Sequence, residues 1–405
     1  MNFLILTQYF PPEVGAPQIR LLALGRELVR RGHRVTVVTA MPNYPAGKIF
    51  PEYRGRWFVR EEMEGISVLR VRMYAASGRG MARLLSYLSF AVLAFWGVLR
   101  SEKADVVFTE SPPLFLGLTG WLGALWHRSR FVLNISDLWP DSVETLGVMS
   151  ARVLRPMFAL EHFLYRRASL VCGTTRGIVR RLQEVKGLPG SKVVHLPNGA
   201  DLNLLSPRPK DEALVRQLGI RRDAKVFIYA GTHGYAQRLD TLIDVATAVD
   251  REDIHFLFVG DGPEKASLEA LVRERGLENV TFVPAQPLSA MPRYFSLAAG
   301  SVVTLMKADL FVDALPSKLI ASLSCGVAPI YAGAGEAADL LLKNQCGVVV
   351  DPEDSSALRS AIERLADDDL TRSRLADNAR SLAEREFAWD MIIDKWLSQV
   401  LPLMS

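Results

Sequence analysis

Short runs of apolar, β-branched residues alternate with amphipathic stretches from one end of this 405-residue chain to the other. The first half predicts strands at Phe3–Thr7, Arg34–Thr39, Val68–Val71, Val106–Phe108, Phe131–Ile135, Leu170–Cys172 and Val193–Leu196. The second half predicts strands at Val226–Ala230, Ile254–Val259, Val280–Val283, Ser301–Thr304, Ala328–Tyr331 and Val348–Val350. Helical patterns separate these runs. The alternation predicts an α/β chain with parallel sheets covered on both faces.

The length of the chain predicts two domains, because a single core seldom grows beyond 250–300 residues. We expect two Rossmann-like domains, at residues 1–205 and 224–387, with ligands at the carboxyl ends of the strands. Residues 206–223 contain Pro207, Pro209 and many charges, which favours a linker. A final helix at 388–405 is long enough to cross back onto the first domain.

The composition is that of a soluble globular protein, with 49% apolar and 23% charged residues. Three widely spaced cysteines (Cys172, Cys325 and Cys346) form neither a disulfide framework nor a metal-binding pattern. We therefore expect a cytoplasmic protein in a reducing compartment, with no metal. The apolar run at the N-terminus stops at Pro11-Pro12, which favours a first β-strand over a signal peptide.

The net charge of +4 hides a strong asymmetry. Residues 1–204 contain 26 Lys and Arg against 15 Asp and Glu, a balance of +11, whereas the remainder has 22 against 29, a balance of −7. The first half should therefore meet something anionic. Since no DNA-binding motif or aromatic-basic interleaving appears, an anionic membrane surface is favoured over nucleic acid.

Two stretches of the first half, Leu84–Leu99 and Ser111–Trp126, carry no charge. Both are shorter than the 18 or more apolar residues that a membrane-spanning helix needs. They are either helices packed on a sheet or, for the first stretch, a helix lying in a membrane interface. The membrane-interface interpretation of Leu84–Leu99 stays open because basic residues lie at both ends of this stretch: Arg79, Arg83, Arg100 and Lys103.

Two loops of the first half follow predicted strands. Gly15, in the segment Tyr9–Pro17, would let a ligand approach the backbone beside a helix N-terminus. Asp137 follows the strand Phe131–Ile135 and should lie at the same sheet edge. Its alternative role is a helix cap or a turn residue.

The second half has a glycine-containing loop after its first strand, with Thr232, His233 and Gly234. Such a loop can surround a pyrophosphate with backbone donors. Arg238 opens the next helix and is either a further phosphate contact or a solvated surface arginine. The segment Val259–Pro263 contains Gly-x-Gly without a third glycine, which disfavours a dinucleotide fingerprint.

Residues 313–330 combine a carboxylate, a tight turn with a lysine, and a helix that ends at Gly326. The turn Leu315-Pro316-Ser317 frees backbone N–H groups at a helix start, where the helix dipole favours an anion. Lys318 adds a mobile positive charge, and Asp313 can accept hydrogen bonds from sugar hydroxyls. This layout predicts a site for a sugar-nucleotide diphosphate.

Taken together, the chain resembles the family 4 retaining glycosyltransferases, which have the GT-B fold of two Rossmann-like domains facing a central cleft. The resemblance rests on the order and spacing of five segments: the Pro-Pro-x-x-Gly opening, Arg31–Val37, Leu196–Asp201, Val259–Pro263 and Pro316–Lys318. Asp137–Asp141 and Tyr229–Gly234 look like the bacterial surface-polysaccharide branch that includes N-acetylfucosaminyl transferases.

The resemblance implies a metal-independent enzyme that holds a nucleotide sugar in its second domain and an acceptor in its first. Protein donors then stabilise the leaving diphosphate. The Lys318 side chain, the Ser317 backbone, the Gly231–Gly234 loop and Arg238 take that role. Pro316 belongs to the same nucleotide-sugar site, and Gly15 lets the loop of the first domain close on the diphosphate. Asp313 contacts the sugar. Because a leaving phosphate oxygen can take the acceptor proton in such a retaining mechanism, Asp137 need only orient the acceptor or act as a weak base.

The chain departs from the family pattern at two points. The family has two glutamates separated by seven residues, whereas this chain has Asp313 and Ala321. Ala321 removes the group that usually binds the ribose, and the lost bond is worth roughly 1.5–3 kcal/mol. Where many relatives have a basic residue in the first loop of the donor domain, this chain has His233, followed by Gln237 and Arg238.

We therefore predict a retaining glycosyltransferase that is peripheral on the inner face of the plasma membrane. It would move a hexose or deoxy-amino-hexose from a nucleoside diphosphate sugar, with a UDP-linked donor favoured, to a polyprenyl-diphosphate-linked saccharide. The nucleotide sugar is a co-substrate, and no other cofactor is expected. Two alternatives stay open, a catalytically silent scaffold in a polysaccharide assembly complex, suggested by Ala321, and a GT-B nucleotide-sugar epimerase.

Overall fold

The computed structural model of the chain describes residues 1–13, 15–44, 46–76, 81–145 and 151–403. The chain forms two compact units, Met1–Asn198 with Trp389–Ser405, and Gly199–Ala388. Each unit contains one sheet with a hydrophobic core on either side of it. The predicted α/β fold class, with two Rossmann-like domains, is confirmed.

The first unit has an eight-stranded sheet in the order β3-β4-β2-β1-β5-β6-β7-β8. Its strands are Asn2–Leu6 (β1), Arg34–Ala40 (β2), Phe58–Met63 (β3), Ile66–Val71 (β4), Val106–Ser111 (β5), Arg130–Ile135 (β6), Leu170–Gly173 (β7) and Val193–His195 (β8). Every pairing is parallel except that of β3 with β4. The sequence did not predict β3, because this edge strand carries Arg60, Glu61 and Glu62 instead of an apolar run.

The second unit has a six-stranded, wholly parallel sheet in the order β11-β10-β9-β12-β13-β14. Its strands are Lys225–Ala230 (β9), Ile254–Val259 (β10), Val280–Val283 (β11), Ala298–Thr304 (β12), Pro329–Ala332 (β13) and Val348–Val350 (β14). All six were predicted, because fully buried parallel strands are continuous apolar runs.

Helices connect the strands in both units. Those of the first unit are Ala16–Arg30 (α1), Met81–Arg100 (α2), Phe115–His127 (α3), Asp141–Thr145 (α4), Ala151–Arg167 (α5), Arg176–Glu184 (α6) and Trp389–Val400 (α15). Those of the second unit are Glu212–Gln217 (α7), Leu239–Ala248 (α8), Lys265–Glu274 (α9), Met291–Phe295 (α10), Ser317–Ser324 (α11), Glu336–Lys343 (α12), Ser355–Asp367 (α13) and Asp369–Glu386 (α14).

The alternation of side chains along β1 divides the core of the first unit into two layers. Phe3 and Ile5 belong to the cluster that contains α1 and α15, whereas Leu4 and Leu6 belong to the cluster with α2 and α3. Successive residues of a strand point to opposite faces, so one short strand supports both layers. The C-terminal helix α15 is therefore a core element of the first unit, with Trp396 buried and its indole Nε1 donating to the Cys172 sulfur at 3.3 Å.

The predicted linker at 206–223 is part of the second unit. Leu214 and Val215 on α7, together with Leu205 and Ile220, are buried in the core of that unit. Asp211 caps α7 by accepting from the Leu214 backbone N–H at 2.9 Å. The prolines and charges that suggested a linker belong to a surface connection around a short capped helix, and the unit itself begins at Gly199.

Helix α2 is longer than the uncharged stretch that the sequence marks. It spans 20 residues, and by length and composition it is the one helix of the described ranges apolar enough to cross a membrane. Six of its residues are buried, among them Phe90, Ala94 and Gly97. A Cβ at Gly97 would lie 2.8 Å from the Val38 side chain on β2, so α2 lies directly on the sheet. Arg79, one of the predicted flanking cations, lies outside the described residues.

Candidate active site

Two glycine-containing loops pack tightly against each other at the carboxyl edge of the second sheet. A Cβ at Gly260 would lie 1.9 Å from the Gly231 carbonyl oxygen, and one at Gly262 would lie 2.2 Å from that of His233. The His233 backbone N–H donates to the Asp261 carbonyl at 2.9 Å. Gly231 and Gly260 both have a φ of 152°, a conformation that side chains strongly disfavour. The Val259–Pro263 segment therefore supports the loop after β9.

Lys318, in the first turn of α11, reaches the loop that follows β9. Its Nζ donates to the Tyr229 hydroxyl at 2.5 Å and lies 4.5 Å from the centre of that ring. The Tyr229 hydroxyl in turn donates to the Thr232 carbonyl at 2.6 Å. A Cβ at Gly231 would lie only 3.0 Å from Lys318 Cε, so the glycine makes room for the lysine. The predicted residues Lys318 and Thr232 thus come together through Tyr229, which the sequence did not single out.

The Lys318 ammonium has no carboxylate partner among the described residues. Burial lowers its pKa to about 7, because the charged form loses its hydration. A diphosphate beside it would supply the missing negative charge and raise the pKa again. Helix α11 begins at Ser317 after Pro316, and no described side chain caps its first turn. Its N-terminal N–H groups and Lys318 thus form a cationic end suited to an anion.

Asp313 is buried where the chain enters the turn before α11. This segment is fixed by the neighbouring helix α12, since the Glu336 N–H donates to the Val312 carbonyl at 2.8 Å. Gly335, with a φ of 79°, makes this approach possible: a Cβ there would lie 1.9 Å from the same oxygen. Ala321, one turn after Lys318, packs its methyl group against the core of the second unit. The position thus contributes packing and no polar group.

The His233 side chain points into the protein. It is fully buried, and both ring nitrogens lack a hydrogen-bond partner among the described residues. Its ring contacts Tyr229, Phe258 and Phe282, with ring centres 5.8–6.2 Å away. Burial, with the charge of Lys265 second, lowers its pKa to about 4, so the imidazole is neutral at pH 7. The sequence predicted His233 as part of a donor-binding loop, and its buried ring and its backbone N–H, which donates to the Asp261 carbonyl, support that loop from within.

Arg238 is engaged by two carboxylates. It lies 2.8 Å from Asp240 and 3.1 Å from Glu353, and its hydrogen bond to Asp240 raises its pKa. A phosphate would have to compete with both acids. Gly234, before the short turn that leads to Arg238, accommodates the Gln237 side chain, whose Oε1 would be 2.7 Å from a Cβ there. Two carboxylates therefore already neutralise Arg238, whereas Lys318 has no carboxylate partner among the described residues.

A buried polar network occupies the carboxyl edge of the first sheet. Arg20 on α1 pairs with Glu110 at the end of β5 and donates to Asn198 at 2.8 Å. Glu110 also accepts from Asn134 at 2.8 Å and from Ser136. The sequence did not predict this network. Its only signal was a charged residue, Glu110, at the end of an otherwise apolar strand.

Gly15 lies immediately before α1, with extended backbone at a φ of 175°. A Cβ there would lie 2.6 Å from the Gln18 amide oxygen, which is buried and unpartnered within the described residues. The preceding loop is anchored by the buried Glu13, which accepts from the backbone N–H groups of Asn43 at 2.7 Å and Tyr44 at 2.8 Å. Glu13 was not predicted.

Asp137 follows β6 at the same edge, next to the Arg20 network. The residue is exposed, yet surrounding protein raises its pKa by desolvation, against the lowering effect of a Ser142 hydrogen bond. A raised pKa makes the Asp137 carboxylate a better proton acceptor than an ordinary aspartate, which is compatible with a role as a weak base. Asp141, four residues on, pairs with Lys186 at 2.7 Å, which fixes the start of α4. No group of three or more His, Cys, Asp or Glu in the described ranges could hold a metal ion.

Both units match models of glycosyltransferase domains. Residues 15–199 match the glycosyl transferase 4-like domain, and residues 210–382 match the glycosyl transferases group 1 domain. With the two parallel-sheet units described above, the chain is a glycosyltransferase of GT-B type.

Relatives and solved structures agree with this assignment. A putative colanic acid biosynthesis glycosyl transferase, WcaI of Escherichia coli K12, is 27% identical over 92% of this chain and 93% of its own length. A probable glycosyltransferase of Pseudomonas aeruginosa, WbjE, is 24% identical over 81% of each. Sucrose-phosphate synthase of Thermosynechococcus elongatus has the same fold, with a TM-score of 0.79 at 20% identity over 99% of this chain and 98% of that one. Anabaena HepE in complex with UDP and glucose has a TM-score of 0.75 at 18% identity, covering 99% and 100%.

Proposed function

We propose that the chain transfers a sugar from a nucleoside diphosphate sugar, with UDP as the favoured nucleotide, to a polyprenyl-diphosphate-linked saccharide, with retention at the anomeric carbon and without a metal. The observation that supports a nucleotide-sugar donor is the environment of Lys318. This desolvated cation has no carboxylate partner among the described residues, and it lies beside the Gly231 loop at the start of α11. The HepE complex with UDP and glucose and the name of WcaI support the donor class and the setting, bacterial surface-polysaccharide synthesis. An N-acetylfucosaminyl donor is a finer proposal within this class.

The roles of the residues follow from their chemistry. As the bond between sugar and diphosphate breaks, negative charge grows on the leaving oxygens, and Lys318 with the first N–H groups of α11 would stabilise it. Asp313 would accept hydrogen bonds from sugar hydroxyls. In the first unit, Asp137 would orient the acceptor hydroxyl or take its proton weakly. Protein donors and the leaving phosphate then do the work that a metal performs elsewhere.

The lipid acceptor and a position on the inner face of the plasma membrane are supported by the outer surface of the first unit. Helices α2 and α3 pack side by side, with Thr119 donating to the Ala91 carbonyl at 2.6 Å. Both leave large apolar side chains exposed, among them Val92 (66%), Trp96 (52%) and Trp126 (63%). Exposed basic residues flank these helices: Arg83, Arg100, Lys103 and Arg128. An apolar face with basic ends is typical of a helix that lies in an anionic membrane interface.

A panel of nucleotide sugars tests the donor half. A ligand at about one hundred times its Kd stabilises a protein by about 2.7 kcal/mol, which calorimetry detects as a higher Tm. We expect stabilisation by a nucleoside diphosphate sugar in the wild type, and a much smaller effect in Lys318→Met. If no nucleotide sugar raises the Tm, the scaffold alternative replaces the enzyme. Flotation with anionic liposomes tests the membrane half, since a protein that stays in solution at low salt contradicts it.

A further inference from the structure

An open groove of about 690 Å³ lies in the first unit, apart from Asp137 and Gly15. The segments after β2 and β4 and one side of α2 form it. The lining residues that matter for its chemistry are three cations and three apolar side chains: Lys48, Arg54, Arg72, Trp57, Tyr74 and Leu93. The groove therefore combines positive charge with apolar surface in one place.

The three cations lack ion-pair partners throughout the described ranges, although the chain is rich in ion pairs elsewhere. Arg54 donates one bond, from Nε to the Ile49 carbonyl at 3.0 Å, and Arg72 lies over the Trp57 ring at 5.0 Å. Both contacts hold the guanidinium groups in place without neutralising them. Arginine binds phosphate oxygens in a bidentate manner, so two arginines and a lysine suit a phosphate or diphosphate.

The apolar part of the groove distinguishes its ligand from a free anion. Trp57 is 59% exposed and Tyr74 is 54% exposed, so both side chains leave apolar surface accessible to a ligand. Leu93 adjoins Val92, a member of the exposed apolar face of α2. The groove thus opens beside the surface that we assign to the membrane. A phosphate attached to a long hydrocarbon would satisfy both parts.

The groove lies at the same sheet edge as Asp137. It follows the carboxyl ends of β2 and β4, and Asp137 follows the carboxyl end of β6. In the sheet order, β6 is three strands from β2. Neighbouring strands are about 4.8 Å apart, so the groove and Asp137 are separated by roughly 14 Å or more along this edge. That distance leaves room for a saccharide between a bound headgroup and the reacting hydroxyl.

We propose that this groove binds the phosphate or diphosphate headgroup of a lipid-linked acceptor, with the hydrocarbon beside the α2 face and the saccharide directed along the sheet edge towards Asp137. The proposal rests on the proposed function for the identity of the acceptor. The assignment of Arg54, Arg72 and Lys48 to the headgroup goes beyond the proposed function.

Flotation without any nucleotide sugar tests the groove separately from the donor site. Phosphatidylcholine vesicles carry either a polyprenyl diphosphate or phosphatidylglycerol at the same surface charge. We expect the wild type to bind the diphosphate vesicles about tenfold more tightly. Arg54→Gln/Arg72→Gln should lose this difference and still bind the phosphatidylglycerol vesicles. The matched control, Arg34→Gln/Arg130→Gln, removes two exposed cations at the amino ends of β2 and β6 and should keep it.

Three results overturn the assignment. The wild type could bind both kinds of vesicle equally, or the control pair could lose as much preference as the groove pair. Inorganic pyrophosphate could also bind the wild type as tightly as the vesicle-borne diphosphate, which would show a site for a free anion. Circular dichroism of each variant confirms folding. Failure of the nucleotide-sugar panel leaves this measurement unaffected, because no donor is present in it.

Discussion

Both units place a cation at the carboxyl edge of a parallel sheet, but the two cations are treated in opposite ways. Arg20 in the first unit is almost fully buried and pairs with Glu110 inside a network of amides and hydroxyls. Lys318 in the second unit contacts the phenol of Tyr229 and, within the part of the chain that the structure describes, no carboxylate. A cation with a buried carboxylate is satisfied by the fold itself. One that lacks a carboxylate is available to a ligand. We therefore interpret Arg20 as a structural charge and propose Lys318 as a functional one.

The largest expected effect concerns the structural cation. Glu110→Leu leaves the Arg20 guanidinium buried without a carboxylate, which should destabilise the first unit by about 3–5 kcal/mol. All seven tryptophans lie in this unit, so tryptophan fluorescence during urea unfolding reports on it specifically. The double variant Arg20→Met/Glu110→Leu serves as the control and should be less destabilised. Equal destabilisation of both variants would show that the ion pair itself is not the stabilising feature.

The next largest effect concerns Lys318, the proposed functional cation. Lys318→Ala should reduce the rate of sugar transfer by about 10²–10³-fold, the loss typical of one donor that stabilises a developing negative charge. Its stability should change little, since Lys318 has no carboxylate partner among the described residues. Lys307→Ala is the matched control, an exposed lysine of the same unit, and should keep full activity. If Lys318→Ala lowers the rate no more than the control does, Lys318 has no role in transfer and does not differ in function from Arg20.

The lowered pKa of Lys318 gives the comparison a pH dependence. Without ligand its pKa is about 7, and a bound diphosphate raises it by favouring the charged form. Binding therefore takes up a proton above pH 7, and donor affinity should fall by up to about tenfold for each pH unit above 7, until the pKa of the bound state is reached. Below pH 7 the affinity should level off. Titration calorimetry at several pH values measures both the affinity and the proton uptake, and Lys318→Met should abolish this dependence.

The carboxyl edges of the two sheets also differ in how many of their interacting residues the sequence predicts. Gly231, Thr232 and Lys318 were predicted to act together, because they follow a strand or open a helix at one edge of a parallel sheet. Tyr229, which joins them, was not, because its hydroxyl reaches Lys318 across 89 residues of sequence. The Arg20–Glu110 pair is separated by 90 residues and leaves no local pattern. Local order predicts which loops meet, whereas pairing between distant side chains depends on the folded structure.

Contacts with distant elements also determine the positions of His233 and of residues 206–223. His233 lies in a loop whose glycines suggested a phosphate contact, but Phe258 and Phe282 on the adjacent strands enclose its ring. Residues 206–223 have a linker's composition, yet Leu214 and Val215 provide an apolar face that the second core covers. In both cases the neighbours that decide the outcome belong to other elements of the sheet.

The smallest effect concerns Ala321, where the family pattern has a carboxylate. Its methyl group packs against the core of the second unit, so Ala321→Glu must displace apolar contacts before its carboxylate can reach a ribose. We expect the gain in affinity for a UDP-sugar to stay below about tenfold, less than the 10- to 150-fold that one charge-assisted hydrogen bond provides elsewhere. Titration calorimetry measures this gain, with Ala321→Gln as the neutral control of similar volume. Lys318→Ala should then lower transfer far more than Ala321→Glu raises it. An otherwise inactive protein that gains transfer through Ala321→Glu would instead identify the natural chain as a scaffold, and Lys318 as a remnant of a former donor site.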